Sequence, residues 1–319
     1  MTQLSPMPPS RPLLEVENLI TRFDLRSGLF GRIMGRVHAV ENVSFSIDRA
    51  ETLALVGESG CGKSTIARTV MHLDQPVSGS IRFEGEETVG ASAQTLQAFR
   101  RHVQMVFQDP FASLNPRMTI ARALIDPMLV QGVSGSRGAM RRKAADLLKR
   151  VELSEAHLDR YPHAFSGGQR QRICIARALA LDPKLLIADE AVASLDVTIQ
   201  AQVINLLMDL QAELGISLLF ISHDMAVVER VAHRVAVMYL GEIVEIGDRR
   251  SIFDNPQHPY TRKLLASVPV ADPRRRPERR KLMVDEIPSA VRPPDYKPVQ
   301  LPMRQVSNTH FVREESHAA

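Results

Sequence analysis

Cysteine is nearly absent from this 319-residue chain: Cys61 and Cys174 are the only two. That excludes a disulfide-stapled secreted scaffold and fits a reducing compartment. Long apolar runs are missing as well, so no segment reads as a membrane span. The start, Met1 to Pro12, is polar and proline-rich. It lacks the apolar centre of a signal peptide and reads as a loose tail. Neither sign of charge dominates: 40 Lys and Arg against 36 Asp and Glu leave +4, too little to argue for a nucleic-acid partner. Internal repeats and heptad runs are also lacking. With 44% hydrophobic and 24% charged residues, the composition is that of a globular protein of one large domain or two smaller ones.

What is present is concentrated chemistry. Gly57-Glu58-Ser59-Gly60-Cys61-Gly62-Lys63-Ser64-Thr65 fits the phosphate-binding loop pattern. Leu53 to Val56 before it reads as a buried strand, and Ile66 to Val70 after it continues as a helix. Glycines let the backbone wrap an anion, and successive N–H groups at a helix start face the phosphates. Lys63 supplies positive charge there, and the Ser64 hydroxyl can ligate Mg²⁺. Leu185 to Glu190 is an apolar strand ending in two acids. Asp189 can hold the metal, and Glu190 can orient and deprotonate an attacking water. Phe165-Ser166-Gly167-Gly168-Gln169 precedes a strong helix former, with Ser166 as N-cap and exposed N–H groups ahead of a positive dipole. This is a second anion site without a second lysine, which suggests nucleotide shared between two subunits. Taken singly, an ordinary capped helix is also open.

The remaining pattern is mixed. Leu14–Ile20, Val37–Ile47 and Gly79–Phe83 are strand-like and form an antiparallel layer. Val103–Phe107 is apolar and short, and the continuous apolar runs Leu185–Ala188 and Ile216–Ile221 suit a parallel sheet covered on both faces. Thr119–Arg150 is helical, broken by Gly132, Gly135 and Gly138. Ile199–Leu214 is helical, Val235–Tyr239 and Glu242–Ile246 form a hairpin, and two short helical segments follow Gly247. The basic stretch Arg274 to Lys281 reads first as a solvated linker and second as a phospholipid-facing patch.

These motifs, in their order, resemble the nucleotide-binding subunit of ATP-binding cassette (ABC) transporters over roughly Leu14 to Gly247. Gln108 in Val106-Phe107-Gln108-Asp109-Pro110 matches the family's Q-loop. Ser194-Leu195-Asp196 matches its D-loop, and His223 in Ile221-Ser222-His223-Asp224 its switch histidine. Alone, Gln108 also reads as a strand-end polar residue and His223 as a satisfied surface histidine. The resemblance implies an α/β P-loop NTPase of the ABC ATPase type. Its mixed sheet core would carry an antiparallel β subdomain and a helical subdomain over about 109–176. Around it would lie a flexible tail (1–13), the nucleotide-binding domain (14–248) and a small C-terminal extension (249–319). It further implies ATP and Mg²⁺ as cofactors, with Ser64, Gln108 and Asp189 near the metal. Catalysis would involve Lys63, Gln108, Glu190 and His223. Ser166, Gly167, Gly168, Gln169 and Asp196 would face nucleotide bound by an opposing subunit. Phe23 is the candidate for stacking on adenine; core packing of its ring is equally open. Ala191 stands where the family usually has proline, and the Ala193-Ser194 order is reversed, so D-loop geometry is expected to depart slightly.

Gln108 to Arg117, Tyr161-Pro162-His163 and Asn255 to Thr261 resemble the oligopeptide/dipeptide importer branch, which includes nickel and glutathione systems. The insert Arg26 to Val40 looks like the F-type of its paired ATPases. That branch implies a D-type ATPase partner, two membrane permease subunits, a periplasmic or extracellular solute-binding protein, no nucleic acid, and a peripheral place on the cytoplasmic face of the inner membrane. Branch members often carry a late cysteine cluster. None follows Cys174 here, so neither an iron–sulfur cluster nor zinc is expected. A non-transport ABC ATPase acting in translation or DNA repair is the alternative, and a catalytically weak scaffolding partner comes after it.

Overall fold

A long hairpin opens the chain. β1 (Leu14–Ser27) pairs antiparallel with β2 (Arg32–Ile47), and the register carries Asp24 opposite Arg36 and Arg26 opposite Ile33. The insert therefore prolongs two strands, closed in part by an Arg36 Nε–Asp24 Oδ1 ion pair of 2.7 Å. Both strands run further than their buried stretches, and the outer part leaves Phe23, Leu25 and Met34 exposed, with no core beneath them. The computed structural model describes residues 11–27, 32–193, 195–267 and 290–314. Most of the N-terminal tail, Gly28 to Gly31, Ser194 and the basic stretch Arg274 to Lys281 lie outside the described residues.

β3 (Thr52–Val56) leads into the phosphate loop and then α1 (Lys63–Val70). β4 (Ser78–Phe83) and β5 (Glu86–Glu87) return to the hairpin, and α2 (Ala93–His102) leads to β6 (Val103–Val106). The strand stops before Phe107, which is exposed. A run of helices follows: α3 (Pro110–Ser113), α4 (Ile120–Val130), α5 (Arg137–Arg150) and α6 (Gly167–Leu179). Of the three glycines, only Gly132 and Gly135 fall in the link between α4 and α5. Gly138 lies in the first turn of α5, where the Ser136 hydroxyl caps Ala139 N–H and offsets the weak helix propensity of glycine.

β7 (Leu185–Asp189), α7 (Val197–Leu214), β8 (Ser217–Ser222), α8 (Met225–Val231), β9 (Arg234–Tyr239) and β10 (Glu242–Asp248) complete the cassette. Beyond lie α9 (Arg249–Asp254), α10 (Pro259–Ala266), and three short strands: β11 (Val291–Arg292), β12 (Met303–Gln305) and β13 (Phe311–Arg313). These three were not expected from the sequence. Two or three residues each, in a proline-rich context, carry too little periodicity to announce a strand.

Two sheets result. The smaller runs β11-β2-β1-β4-β5 and is antiparallel. The larger runs β12-β13-β10-β9-β3-β8-β7-β6, with β6, β7, β8, β3 and β9 parallel. Side-chain alternation divides the parallel strands between two cores. Leu53, Leu55, Leu185, Ile187, Leu219 and Ile221 face the small sheet, α1 and α2. Ala54, Val56, Leu186, Ala188, Leu218 and Phe220 face the helices. Both faces are buried, which explains why these strands read as unbroken apolar runs. Functional loops gather where the parallel strands end.

Candidate functional site

The phosphate loop is fixed by contacts that only glycine allows. Gly57 has φ 152°, and a Cβ there would meet Met238 O at 2.2 Å; Gly62 has φ 109°, and its Cβ would meet Ala39 O at 2.0 Å. An L side chain at either position would be strained and would clash with backbone. Gly62 ends the loop as the left-handed N-cap of α1, with no side chain covering the helix's first N–H groups. The turn after β9 closes over the loop as Gly241 N–H donates to Cys61 O at 3.0 Å. Lys63 is buried, and its ammonium donates to Gly57 O at 2.8 Å and Glu58 O at 2.9 Å. Cys61 is buried against Lys63, and burial pushes its thiol above the usual thiol range.

Ser64 at the start of α1 donates its hydroxyl proton to Asp189 Oδ1 at 2.9 Å. Burial pushes the Asp189 carboxyl above its ordinary value. The Ser64 hydrogen bond opposes that shift, and neighbouring Glu190 adds to it. Glu190 follows at φ 46°, its N–H donating to Ile221 O at 3.0 Å. That left-handed residue turns the chain sharply and sends the carboxylate away from Asp189's path. Its two oxygens are spoken for. Gln108 Nε2 donates to Oε2 at 2.8 Å, and His223 Nδ1 lies 3.3 Å from Oε1. Three strand ends, β6, β7 and β8, thus deliver Gln108, Glu190 and His223 to one point.

A cleft of about 290 Å³ joins these parts. It is lined by Ser59, Gly60, Gly62, Lys63, Ser64, Thr65, Gln108 and Glu190, and on the opposite wall by Phe23, Val37 and Ala39. Phe23 is 39% exposed, so its ring offers a face to the cleft rather than filling the core. Gly57, Glu58 and Cys61 shape the loop from behind instead of lining the cleft.

The second glycine motif stands apart from this cleft. Ser166 caps α6, its hydroxyl accepting from Gln169 N–H while Gln169 Oε1 accepts from Ser166 N–H. This reciprocal capping box fixes the helix start. Gly168 is buried where a Cβ would meet Ile199 Cγ2 at 2.3 Å, so the motif sits directly on the first turn of α7. Asp196 caps that helix, accepting from Ile199 N–H at 3.0 Å. Ser166, Gly167, Gly168, Gln169 and Asp196 line no part of the cleft that holds Lys63. α3, just past Gln108, packs on α6: Arg170 stands 4.1 Å over the exposed Phe111 ring, and Arg177 donates to Ser113 O.

Sequence reasoning missed Tyr260 of α10. Its hydroxyl accepts from Glu58 N–H at 3.0 Å across 202 positions of chain, and no local pattern signals a contact of that range.

Comparison with known proteins agrees with this arrangement. Residues 40–193 match the family described as ABC transporter, and residues 244–295 match "Oligopeptide/dipeptide transporter, C-terminal region". The ABC transporter match thus takes in just under half of the chain and contains the phosphate loop, the serine–glycine motif and Glu190. It is 56% identical over 303 residues to the glutathione import ATP-binding protein GsiA of Pectobacterium atrosepticum, covering 95% of this chain and 48% of that protein. GsiA of Escherichia coli strain K12 matches at 56% over 303 residues with the same coverage. The chain therefore spans about half the length of the curated relatives it matches. Among solved structures, the dimeric post-hydrolysis state of the ATP-binding cassette MJ0796 bound to ADP and Pi aligns with TM-score 0.66 and 28% identity, over 74% of this chain and 99% of that one. CbiO1 of Clostridium perfringens, part of the ABC transporter complex cbiONQ, aligns with TM-score 0.65 and 28% identity, over 76% and 91%. The fold is the ABC ATPase cassette, and the match of residues 40–193 supports ATP binding.

Proposed function

We propose that this chain hydrolyses ATP to drive import of glutathione or a related small peptide through an ABC transporter. The observation that carries the chemistry is Glu190, gripped by Gln108 and His223 in the cleft that also holds Lys63 and Ser64. The peptide class rests on the GsiA relatives and on the match of residues 244–295.

In this reading the N–H groups at the start of α1 and the Lys63 ammonium bind the β- and γ-phosphates, and Phe23 stacks on the adenine. Ser64 Oγ and Asp189 Oδ1, 2.9 Å apart, are two hard oxygen donors at one point, which suits Mg²⁺. When bound there, the ion neutralises charge on the transferring phosphoryl group. Glu190 takes a proton from the attacking water as its oxygen bonds to the γ-phosphorus, and ADP leaves with the electrons of the broken P–O bond. Gln108 and His223 hold that carboxylate in line.

Ser166, Gly167, Gly168, Gln169 and Asp196 would complete the site of a facing cassette, since they lie outside this chain's own cleft. A dimeric relative in the post-hydrolysis state supports this reading. The α3–α6 contact would pass movement from Gln108 to the permease subunits. We further propose the division into 14–248 and 249–319, a distinct ATPase partner, a solute-binding protein, and a place on the cytoplasmic membrane face. The F-type reading rests on the insert Arg26 to Val40 alone.

The test is reconstitution with the neighbouring transporter subunits in vesicles. Labelled glutathione or dipeptide should accumulate only with ATP, and Glu190→Gln should abolish accumulation. ATP-dependent uptake of nickel but of no peptide would overturn the substrate class. ATPase activity that depends on ribosomes or DNA would overturn the transport reading altogether.

A further inference from the structure

We propose that Tyr260 is a positioning residue for the phosphate loop, through which the C-terminal extension sets the affinity for nucleotide. This rests on the reading of the cleft as an ATP site.

The loop's second residue is held from two sides. Glu58 N–H donates to the Tyr260 hydroxyl at 3.0 Å, while Glu58 O accepts from the Lys63 ammonium at 2.9 Å. The peptide plane that carries Glu58 N–H also carries Gly57 O, which accepts from the Lys63 ammonium at 2.8 Å, so rotating it would move a carbonyl on which Lys63 rests. On the other flank Gly57 is pressed against Met238 O, so the loop has no room to shift toward β9. The phenol oxygen is the acceptor for that part-buried N–H, and an N–H shielded from water without an acceptor is costly.

Tyr260 is itself held firmly. Its ring lies against Tyr239 at the end of β9, with centroids 4.3 Å apart. It sits in the first turn of α10, where Pro259 opens the helix and the His258 ring accepts from Tyr260 N–H at 3.1 Å. The start of α10 is pinned in turn by Glu245, a fully buried carboxylate of β10. That carboxylate accepts from Gln257 N–H at 2.7 Å and His258 N–H at 2.9 Å. Burial pushes the Tyr260 phenol well above its ordinary range, so its oxygen stays a neutral acceptor at any working pH. A rigid path thus leads from Glu245 through the α10 start and the Tyr260 hydroxyl to the loop that carries Lys63. α10 lies within the segment that matches the oligopeptide/dipeptide C-terminal region, so loop geometry depends on residues outside the cassette core.

The experiment compares Tyr260→Phe with Tyr239→Phe in the full-length chain. Each loses one hydroxyl from the same pair of touching rings, but only the first loses the bond to Glu58. Amide hydrogen exchange at Glu58 should quicken in Tyr260→Phe and stay slow in Tyr239→Phe. Titration calorimetry with MgATP should show Kd raised about 5–10-fold in Tyr260→Phe, the effect of one lost hydrogen bond, and unchanged in Tyr239→Phe. The KM for ATP should rise in step while kcat stays within about twofold. A purely structural role would lower both melting temperatures and leave Kd alone. Wild-type Kd in Tyr260→Phe, or equal shifts in both variants, overturns the proposal. If the unmodified chain fails to bind MgATP while Glu58 exchange still separates the two variants, the ATP reading falls and the loop contact stands.

Discussion

Gln108 reaches Glu190 from a different strand and 82 positions away, its amide donating to Oε2 at 2.8 Å. The carboxylate is thereby aimed by a residue whose next neighbours, Asp109 to Ser113, pack on the α6 helix behind the serine–glycine motif. One hydrogen bond joins the proposed base to the segment that would face a membrane partner.

Replacing Glu190 by Gln keeps the shape and removes the base. Hydrolysis should fall about 10²–10⁴-fold, the usual worth of a placed general base. MgATP binding should persist, and the assembly should accumulate as a closed dimer with a mass shift in ATP. Unaltered hydrolysis by the variant together with its partner would remove Glu190 from the mechanism.

Asp189 should trade stability for chemistry. Its folded carboxyl sits above the ordinary aspartate range because burial disfavours the charge. Stability from the neutral form is complete at low pH and lost as pH rises through that raised value, so at neutral pH the charge is a cost. Asp189→Asn should therefore melt higher than the parent at neutral pH and gain less at acid pH, yet lose Mg²⁺-dependent hydrolysis. A lower melting temperature at neutral pH would contradict this account of the burial.

Gly62→Ala should cripple the loop. A left-handed residue with a Cβ costs about 1–2 kcal/mol, and here the added carbon would also stand 2.0 Å from Ala39 O. Denaturant melts should show the loss, and MgATP titration should show no binding. A variant that binds as well as the parent would mean the loop can take another path.

His310→Ala should loosen the C-terminal extension. Its ring nitrogen lies 2.7 Å from Glu245 Oε1, with both side chains buried. Removing a donor from a buried acceptor costs about 1–3 kcal/mol. The melting temperature should drop, His310→Gln should recover part of it, and an unchanged melt would show that water replaces the ring without cost.

Legibility in the sequence followed the range of the interactions. The phosphate loop was plain because its glycines, its preceding apolar strand and its following helix are contiguous. Ser166 was readable as a cap for the same reason, and its partner Gln169 lies within the same turn. The meeting of Gln108, Glu190 and His223 could not be seen from spacing alone; the family pattern pointed to all three, and the parallel strand order places them together. Gly138 misled because a glycine early in a helix looks like a break unless the Ser136 cap is recognised. The prolonged hairpin escaped because the alternation Phe23-Asp24-Leu25-Arg26 is only four residues long and a short period does not fix where a strand ends. Tyr260 and β11 to β13 escaped because their partners are distant and their own segments too short to carry a period.

The last described stretch touches both sheets: β11 lies along β2, and β13 along β10. At Arg36–Val37 of β2 and Glu245–Ile246 of β10 the strands would otherwise present bare N–H and C=O groups at a sheet's margin, a template for pairing with another molecule. Proteolysis or truncation that removes residues 290–314 would uncover two sticky borders at once, and self-association of the clipped protein should appear before any loss of its fold.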